Sequence, residues 1–349
     1  MRLGGEMRKI RVLVVEDSLV FRQLLVTNLN RDPGIEVVAV AGDPFEARDL
    51  IIEHHPDVMT LDVELPKMSG IEFLRKLMPQ YPMPVVVISS LSDKVFDALQ
   101  AGAVEFVAKP QVRDQKQLDY FLRNELPVKI KIASTASLAN IKKAVADSSK
   151  PATDSCTTDS EKVIAIGAST GGTEAIAAVI SEFGPDIPGT VIVQHMPKGF
   201  TEMYANRLND RCRVRVKEAK HGDRVEPGLV LIAPGGDAHM KLVKVNGKYQ
   251  VDIKKGEKVN GHCPSVEVLF ESVAKTAGSN AIGIILTGMG GDGARGLLSM
   301  KQAGAETIGQ DESTCVVYGM PKVAYDIGAV KYQEKLENIA HKTYALLRK

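Results

Sequence analysis

The sequence predicts an α/β protein of two doubly wound parallel-sheet domains joined by a flexible linker. Three observations carry that prediction. Short apolar, partly β-branched runs alternate with helix-periodic segments over residues 8–127, and again from residue 161, which is the pattern of parallel βα units. A stretch of Ser, Thr, Ala, Asp and Lys, too polar to bury a core, separates the two regions. The length, 349 residues, suits two domains.

The bulk composition narrows the function classes. An apolar content of 44% fills ordinary cores, and 25% charged residues is normal for a water-borne protein. A net charge of +1 argues against a dedicated nucleic-acid binder, which carries a basic face or arm. No apolar run approaches the roughly 18 residues of a membrane span. The segment Met1 to Lys9 lacks the apolar centre of a signal peptide. Cys156, Cys212, Cys263 and Cys315 are far apart and form no C-x-x-C, which argues against a disulfide framework or thiolate metal site. The expectation is a cytoplasmic monomer with no nucleic-acid partner and no membrane insertion.

In the first region, Arg11 to Val15, Ile35 to Ala41, Asp57 to Leu61, Val85 to Ile88 and Val104 to Val107 read as strands. Helical spacing runs through Phe21 to Leu29, Phe45 to His54 and Gly70 to Leu77. Function in such sheets gathers at the carboxyl ends of the strands. Those ends carry Glu16-Asp17, Asp62, Ser89-Ser90 and Lys109-Pro110. Three neighbouring carboxylates repel one another unless a cation joins them, and the hard cation Mg²⁺ suits oxygen ligands. A carboxylate beside Mg²⁺ and a lysine can accept a phosphoryl group. Singly, each acid is an ordinary solvated loop residue; the five positions together are not.

Glu16-Asp17, Asp62, Pro66, Gly70, Ser89, Ala101-Gly102-Ala103 and Lys109-Pro110 resemble the response-regulator receiver family. The resemblance implies a flavodoxin-like fold, phosphorylation of Asp62 by a histidine kinase, and Mg²⁺ held by Glu16, Asp17 and Asp62. Ser89 would follow the phosphate, Lys109 would offset its charge, Phe106 would be the switching aromatic, and the bond before Pro110 would be cis. Two features depart from the usual pattern: the acidic pair is Glu-Asp, and the short segment from Ser90 to Leu99 predicts a trimmed helix.

The linker is expected over 128–160. Val128, Ile130 and Ile132 among lysines suggest a frayed helical extension, and the chain from Ser134 to Ser160 a mobile tether.

The last region, 161–349, opens on Val163-Ile164-Ala165-Ile166-Gly167-Ala168-Ser169-Thr170-Gly171-Gly172. A buried strand meets small residues, then a helix through Ile176, Val179, Ile180 and Phe183. The spacing Gly167-x-Ser169-x-Gly171 is that of a nucleophile elbow, and a glycine-rich phosphate loop shares it. A second strand, Thr190 to Val193, ends at Gln194-His195. A third, Ala281 to Leu286, empties into Thr287-Gly288-Met289-Gly290-Gly291-Asp292, followed by a helix through Leu297, Leu298 and Met300. Ser169, His195 and Asp292 thus stand just past strand ends. A serine hydroxyl needs an imidazole to take its proton and a carboxylate to fix that ring. A glycine-flanked Asp is also an ordinary turn residue, and seven histidines compete, with His239 and His262 near glycine-rich loops. A dinucleotide site would want an acid where Gln194-His195 stand, and a DNA-binding output would be smaller, basic and helical.

Gly167 to Gly172, Gln194-His195-Met196, Pro264-Ser265-Val266, Thr287 to Gly293 and Gly319-Met320-Pro321 resemble the CheB family, chemotaxis protein-glutamate methylesterases with a receiver ahead of a Rossmann-like αβα catalytic domain. The resemblance implies Ser169 as nucleophile, His195 as base, Asp292 as its orienting acid, and the N–H groups of Thr170 and Met289 as oxyanion donors. It implies no cofactor for the esterase, the kinase CheA as phosphodonor, chemoreceptor helices as substrate, and a receiver covering the active-site face until Asp62 is phosphorylated.

Overall fold

The computed structural model describes residues 8–90, 93–110, 114–137, 139 and 161–348. The chain forms two compact units, residues 1–146 and 147–349.

In the first unit, β1 (Ile10–Val15), α1 (Leu19–Leu29), β2 (Ile35–Ala41), α2 (Pro44–His54), β3 (Val58–Asp62), α3 (Gly70–Leu77), β4 (Val85–Ser89), α4 (Lys94–Gln100) and β5 (Glu105–Ala108) follow in turn. The five strands form a parallel sheet in the order β2-β1-β3-β4-β5. Every residue of β3 and β4 is buried, as expected of strands covered by helices on both faces. Side chains fix the helix starts. Ser18 accepts from Phe21 N, Asp43 from Phe45 and Glu46 N with Pro44 at the first helical position, and Ser69 from Glu72 N. As the short sequence segment predicts, α4 has only 7 residues.

Two expectations fail in this unit. The peptide bond before Pro110 is not cis; among the described residues the cis bond is Cys263–Pro264. The stretch after Pro127 is also no frayed start of a linker. Helix α5 (Gln115–Tyr120) runs through a π-helical turn at Phe121–Glu125 into α6 (Leu126–Ala133). Leu126, Ile130 and Ala133 fall on one helical face and are fully buried. Lys129 pairs with Glu105 at 2.9 Å and Lys131 with Asp32 at 2.7 Å. The lysines that made the segment look solvated lie on the outer face and tie it down. Of the expected tether from Ser134 to Ser160, residues 138 and 140–160 lie outside the described residues.

The second unit contains β6 (Val163–Ala168), α7 (Gly172–Ser181), β7 (Gly189–Gln194), α8 (Phe200–Asn209), β8 (Arg215–Glu218), β9 (Leu229–Ile232), β10 (Ala238–Val245) and β11 (Lys248–Lys255). It continues with α9 (Val266–Ala277), β12 (Ala281–Ile285), α10 (Ala294–Gln302), β13 (Glu306–Gln310), α11 (Met320–Asp326), β14 (Tyr332–Glu334) and α12 (Leu336–Leu347). Seven strands make a parallel sheet ordered β14-β13-β12-β6-β7-β9-β8. The antiparallel hairpin β10–β11 interrupts the βα alternation. Its Met240, Leu242, Tyr249 and Val251 join Leu269, Phe270 and Val273 of α9 in one core. From β6 the chain builds outward through β7 on one side, and from β12 through β13 on the other. That reversal of strand order lies between β6 and β12, where an open α/β sheet leaves a crevice beyond the strand ends. No helix among the described residues is long and apolar enough to cross a membrane.

Candidate active site

In the first unit, the strand ends bring the expected acids together. Ligand oxygens of Glu16, Asp17 and Asp62 lie within 4.8 Å of one another, with Glu16 and Asp62 buried and Asp17 exposed. Lys109 donates to both oxygens of Glu16, at 3.0 and 2.8 Å, and to Asp62. Burial pushes the Glu16 carboxyl up to about 7, against the pull of the Lys109 ammonium. Burial also opposes the charge on Lys109, but the bonds to Asp62 and Glu16 outweigh it and raise that pKa. An all-carboxylate oxygen set of this kind fits Mg²⁺. Ser89 is buried at the end of β4, beside Ala108 of β5 in register, and Phe106 is buried on β5.

In the second unit, β6 and β7 run in register from Val163 opposite Gly189 to Ala168 opposite Gln194. Ser169 and His195, each one residue further on, therefore emerge side by side. The bonds there hold them in place. His195 N donates to Ala168 O at 3.2 Å, Gln194 Nε2 to Ser169 O at 2.9 Å, and Ser169 N to Thr287 O at 3.0 Å. Gly171 turns the chain into α7 with φ +75°, where a side chain would be strained and would meet Val316. Gly288 lets the third loop approach the serine: a Cβ there would lie 2.7 Å from Ser169 Cβ.

Asp292 reaches the same place from the loop after β12. His195 Nε2 and Asp292 Oδ2 are 2.8 Å apart, and both side chains are almost wholly buried. Four further donors converge on this carboxylate. Oδ1 accepts from Asn260 Nδ2 at 2.9 Å, Ser265 Oγ at 2.7 Å and Glu267 N at 3.3 Å, while Oδ2 also accepts from Val266 N at 2.7 Å. Burial alone would raise the Asp292 pKa, but the bonds from His195, Asn260 and Ser265 hold it down at about 2. Val266 and Glu267 open α9, so Asp292 also caps that helix and sits at its positive end. An ionised Asp292 only accepts, so Nε2 carries the ring proton and Nδ1 is left as the basic nitrogen. Nδ1 is buried with no hydrogen-bond partner, and the Ser169 hydroxyl is not yet bonded to it.

The two expected oxyanion donors differ in exposure. Thr170 is buried, its carbonyl held by Thr287 Oγ1 at 3.0 Å, whereas Met289 is 43% exposed on the glycine-rich loop. The Met289 N–H has no acceptor among the described residues. Asn260 and the α9 amides are missing from the sequence-level site. The signals were present but local. Asn260-Gly261 is a two-residue turn pair, and Ser265 stands as a cap before the helical stripe Val266, Leu269, Phe270, Val273. Nothing in their spacing said that both would reach Asp292.

Residues 164–343 match the family described as CheB methylesterase, and residues 12–120 the response regulator receiver domain. The chain belongs to the CheB methylesterase family. A protein-glutamate methylesterase/protein-glutamine glutaminase 2 of Syntrophomonas wolfei subsp. wolfei is 60% identical over 341 residues, 98% of each chain. A protein-glutamate methylesterase/protein-glutamine glutaminase of Syntrophotalea carbinolica is 53% identical over 348 residues, 97% of this chain and 98% of that one. The solved catalytic domain of the Thermotoga maritima CheB methylesterase is 40% identical, with a TM-score of 0.52, covering 53% of this chain and 98% of its own. Both units therefore have the α/β folds that the sequence predicts. CheB membership also answers the two rival readings of the second unit, a nucleotide-binding phosphate loop and a DNA-binding output.

Proposed function

We propose that this chain is a phosphorylation-regulated serine esterase of chemotaxis adaptation. It hydrolyses glutamate methyl esters on chemoreceptors, releasing methanol, and deamidates receptor glutamines by the same acyl chemistry. One observation carries the mechanism: a buried imidazole held through Nε2 by an ionised carboxylate, with Nδ1 left without a partner, at the end of the strand next to the one that delivers Ser169.

On this reading Ser169 Oγ attacks the ester carbonyl while His195 Nδ1 takes its proton. The N–H groups of Thr170 and Met289 receive the developing oxyanion. The imidazolium, stabilised by Asp292, returns the proton to the departing methoxide oxygen, and methanol leaves. A water molecule then gives a proton to the same nitrogen as its oxygen attacks the acyl-enzyme, and the imidazolium returns that proton to Ser169 Oγ as the bond to the acyl carbon breaks, which frees the glutamate and Ser169.

The receiver unit supplies control. A histidine kinase, CheA, phosphorylates Asp62; Glu16, Asp17 and Asp62 would hold Mg²⁺, and Lys109 faces the incoming charge. Bound Mg²⁺ would offset negative charge on the transferred group. Ser89 and Phe106 respond to the phosphate, and the protein acts as a cytoplasmic monomer. The test is methanol release from methylated receptor with and without phosphodonor and Mg²⁺. Stimulated release is expected; no release under either condition would overturn the assignment.

A further inference from the structure

A second histidine stands in the catalytic site with no part in the triad. Between β11 and α9 the chain makes a tight turn in which Val259 and His262 exchange both backbone bonds at 3.0 Å. Its two corner residues, Asn260 and Gly261, have φ of +52° and +83°. That is the conformation an Asn-Gly pair adopts most readily. The turn is anchored from behind by the buried His239, whose Nε2 donates to Glu257 O at 2.7 Å and whose Nδ1 accepts from Ser265 N at 3.2 Å.

This one turn serves both members of the His195–Asp292 pair. The Asn260 amide bonds the carboxylate, as described above. The His262 ring lies flat against the His195 ring, with centroids 3.7 Å apart and planes 6° from parallel. The stack does something the bond to Asp292 cannot. The covalent bond to Cβ and a single hydrogen bond at Nε2 hold two points of the imidazole and leave rotation about the line between them. Pivoting would carry Nδ1 away from the serine hydroxyl. A ring packed flat over one face removes that freedom. It also presents a π surface to His195 when that ring becomes a cation.

We infer that His262 is a positioning residue of the esterase: delivered by the Val259–His262 turn, its ring holds His195 so that Nδ1 stays aimed at Ser169. The inference deepens the triad reading and rests on it. Proton transfer needs the two heavy atoms within hydrogen-bond reach, and a misplacement of about 1 Å can lower a rate by about a hundredfold.

The test uses the full-length protein carrying His262→Ala or His262→Phe, with Ser169→Ala and His195→Ala in parallel. Phenylalanine keeps a flat ring of similar thickness and has no nitrogen. kcat and KM are measured on methylated receptor, and Ser169 reactivity is measured separately with a fluorophosphonate probe. Loss of the flat ring in His262→Ala should lower kcat and the labelling rate by about tenfold or more, with KM little changed. His262→Phe should recover most of that loss. In proton NMR, the His195 ring signals should lose the ring-current shift of the stack in His262→Ala and keep one in His262→Phe. Full activity in His262→Ala would overturn the inference. So would a folded His262→Phe as slow as His262→Ala, since a ring nitrogen would then be doing the work. If Ser169→Ala or His195→Ala stayed active, the triad reading itself would fall, which is a separate result.

Discussion

Replacing Asp292 by alanine should damage the fold as well as the chemistry, because this carboxylate closes the first turn of α9 in addition to orienting His195. The size follows from the site. Moving the Asp292 pKa from 3.8 to about 2 corresponds to about 2 kcal/mol of preference for the folded, charged state. Leaving Val266 N and Glu267 N without their acceptor adds about 1 kcal/mol, the usual effect of losing a helix cap. About 3 kcal/mol in a unit of this size lowers the melting temperature by roughly 6–12 °C. The sign with pH is fixed. A carboxyl whose folded pKa is depressed contributes its full stability above the unfolded value and loses it as pH falls through the folded one. The gap between wild type and Asp292→Ala should be constant from pH 7 down to about 4, then narrow by about 2 kcal/mol between about 4 and 2. Calorimetry across that range, on wild type and variant under identical salt, measures it. The same variant should lose on the order of 10⁴ in kcat. A variant that is catalytically dead but melts within about 2 °C of wild type at pH 7 would refute the capping role, since about 3 kcal/mol cannot be that quiet.

Ser169→Ala should abolish methanol release with an unchanged melting temperature, because a small side chain still suits the turn before Gly171; retained activity in the purified variant would remove the nucleophile assignment. Asp62→Asn should keep basal esterase activity and lose stimulation by phosphodonor and Mg²⁺, and phosphoryl label appearing at the wild-type level would move the acceptor elsewhere. A fragment beginning near Ser160 should outpace the unphosphorylated full-length chain if the receiver covers the active-site face. If the residues between the units act as the expected tether of about 25 residues, it would hold them at roughly millimolar effective concentration, enough to keep a weak interface closed. The fragment should also ignore phosphodonor. A rate no higher than that of the intact chain would exclude covering while leaving the esterase standing.

The local elements and the chemistry at their ends are readable from residue order. Runs such as Val163 to Ile166 and Val191 to Val193 are apolar at every position, as a strand buried on both faces requires. Helix starts at Ser18, Asp43 and Ser69 are written in the capping residues themselves. Ser169 and His195 were legible for the same reason, each lying directly beyond a readable strand, and Asp292 lies in the glycine-rich loop that follows another. Tertiary structure alone decided what those groups do to one another. Strand order sets β12 beside β6, and that non-local choice brings Asp292 to His195 across 97 residues. It also sets which ring nitrogen stays basic, and it places Asn260, His262 and the first amides of α9 around the pair. The same holds for the helix after Pro127. Its lysines read as solvated, and only packing of Leu126, Ile130 and Ala133 reveals a buried face. Spacing along a chain records which side an element turns inward; what waits there depends on strands and turns tens of residues away, whose pairing no local pattern encodes.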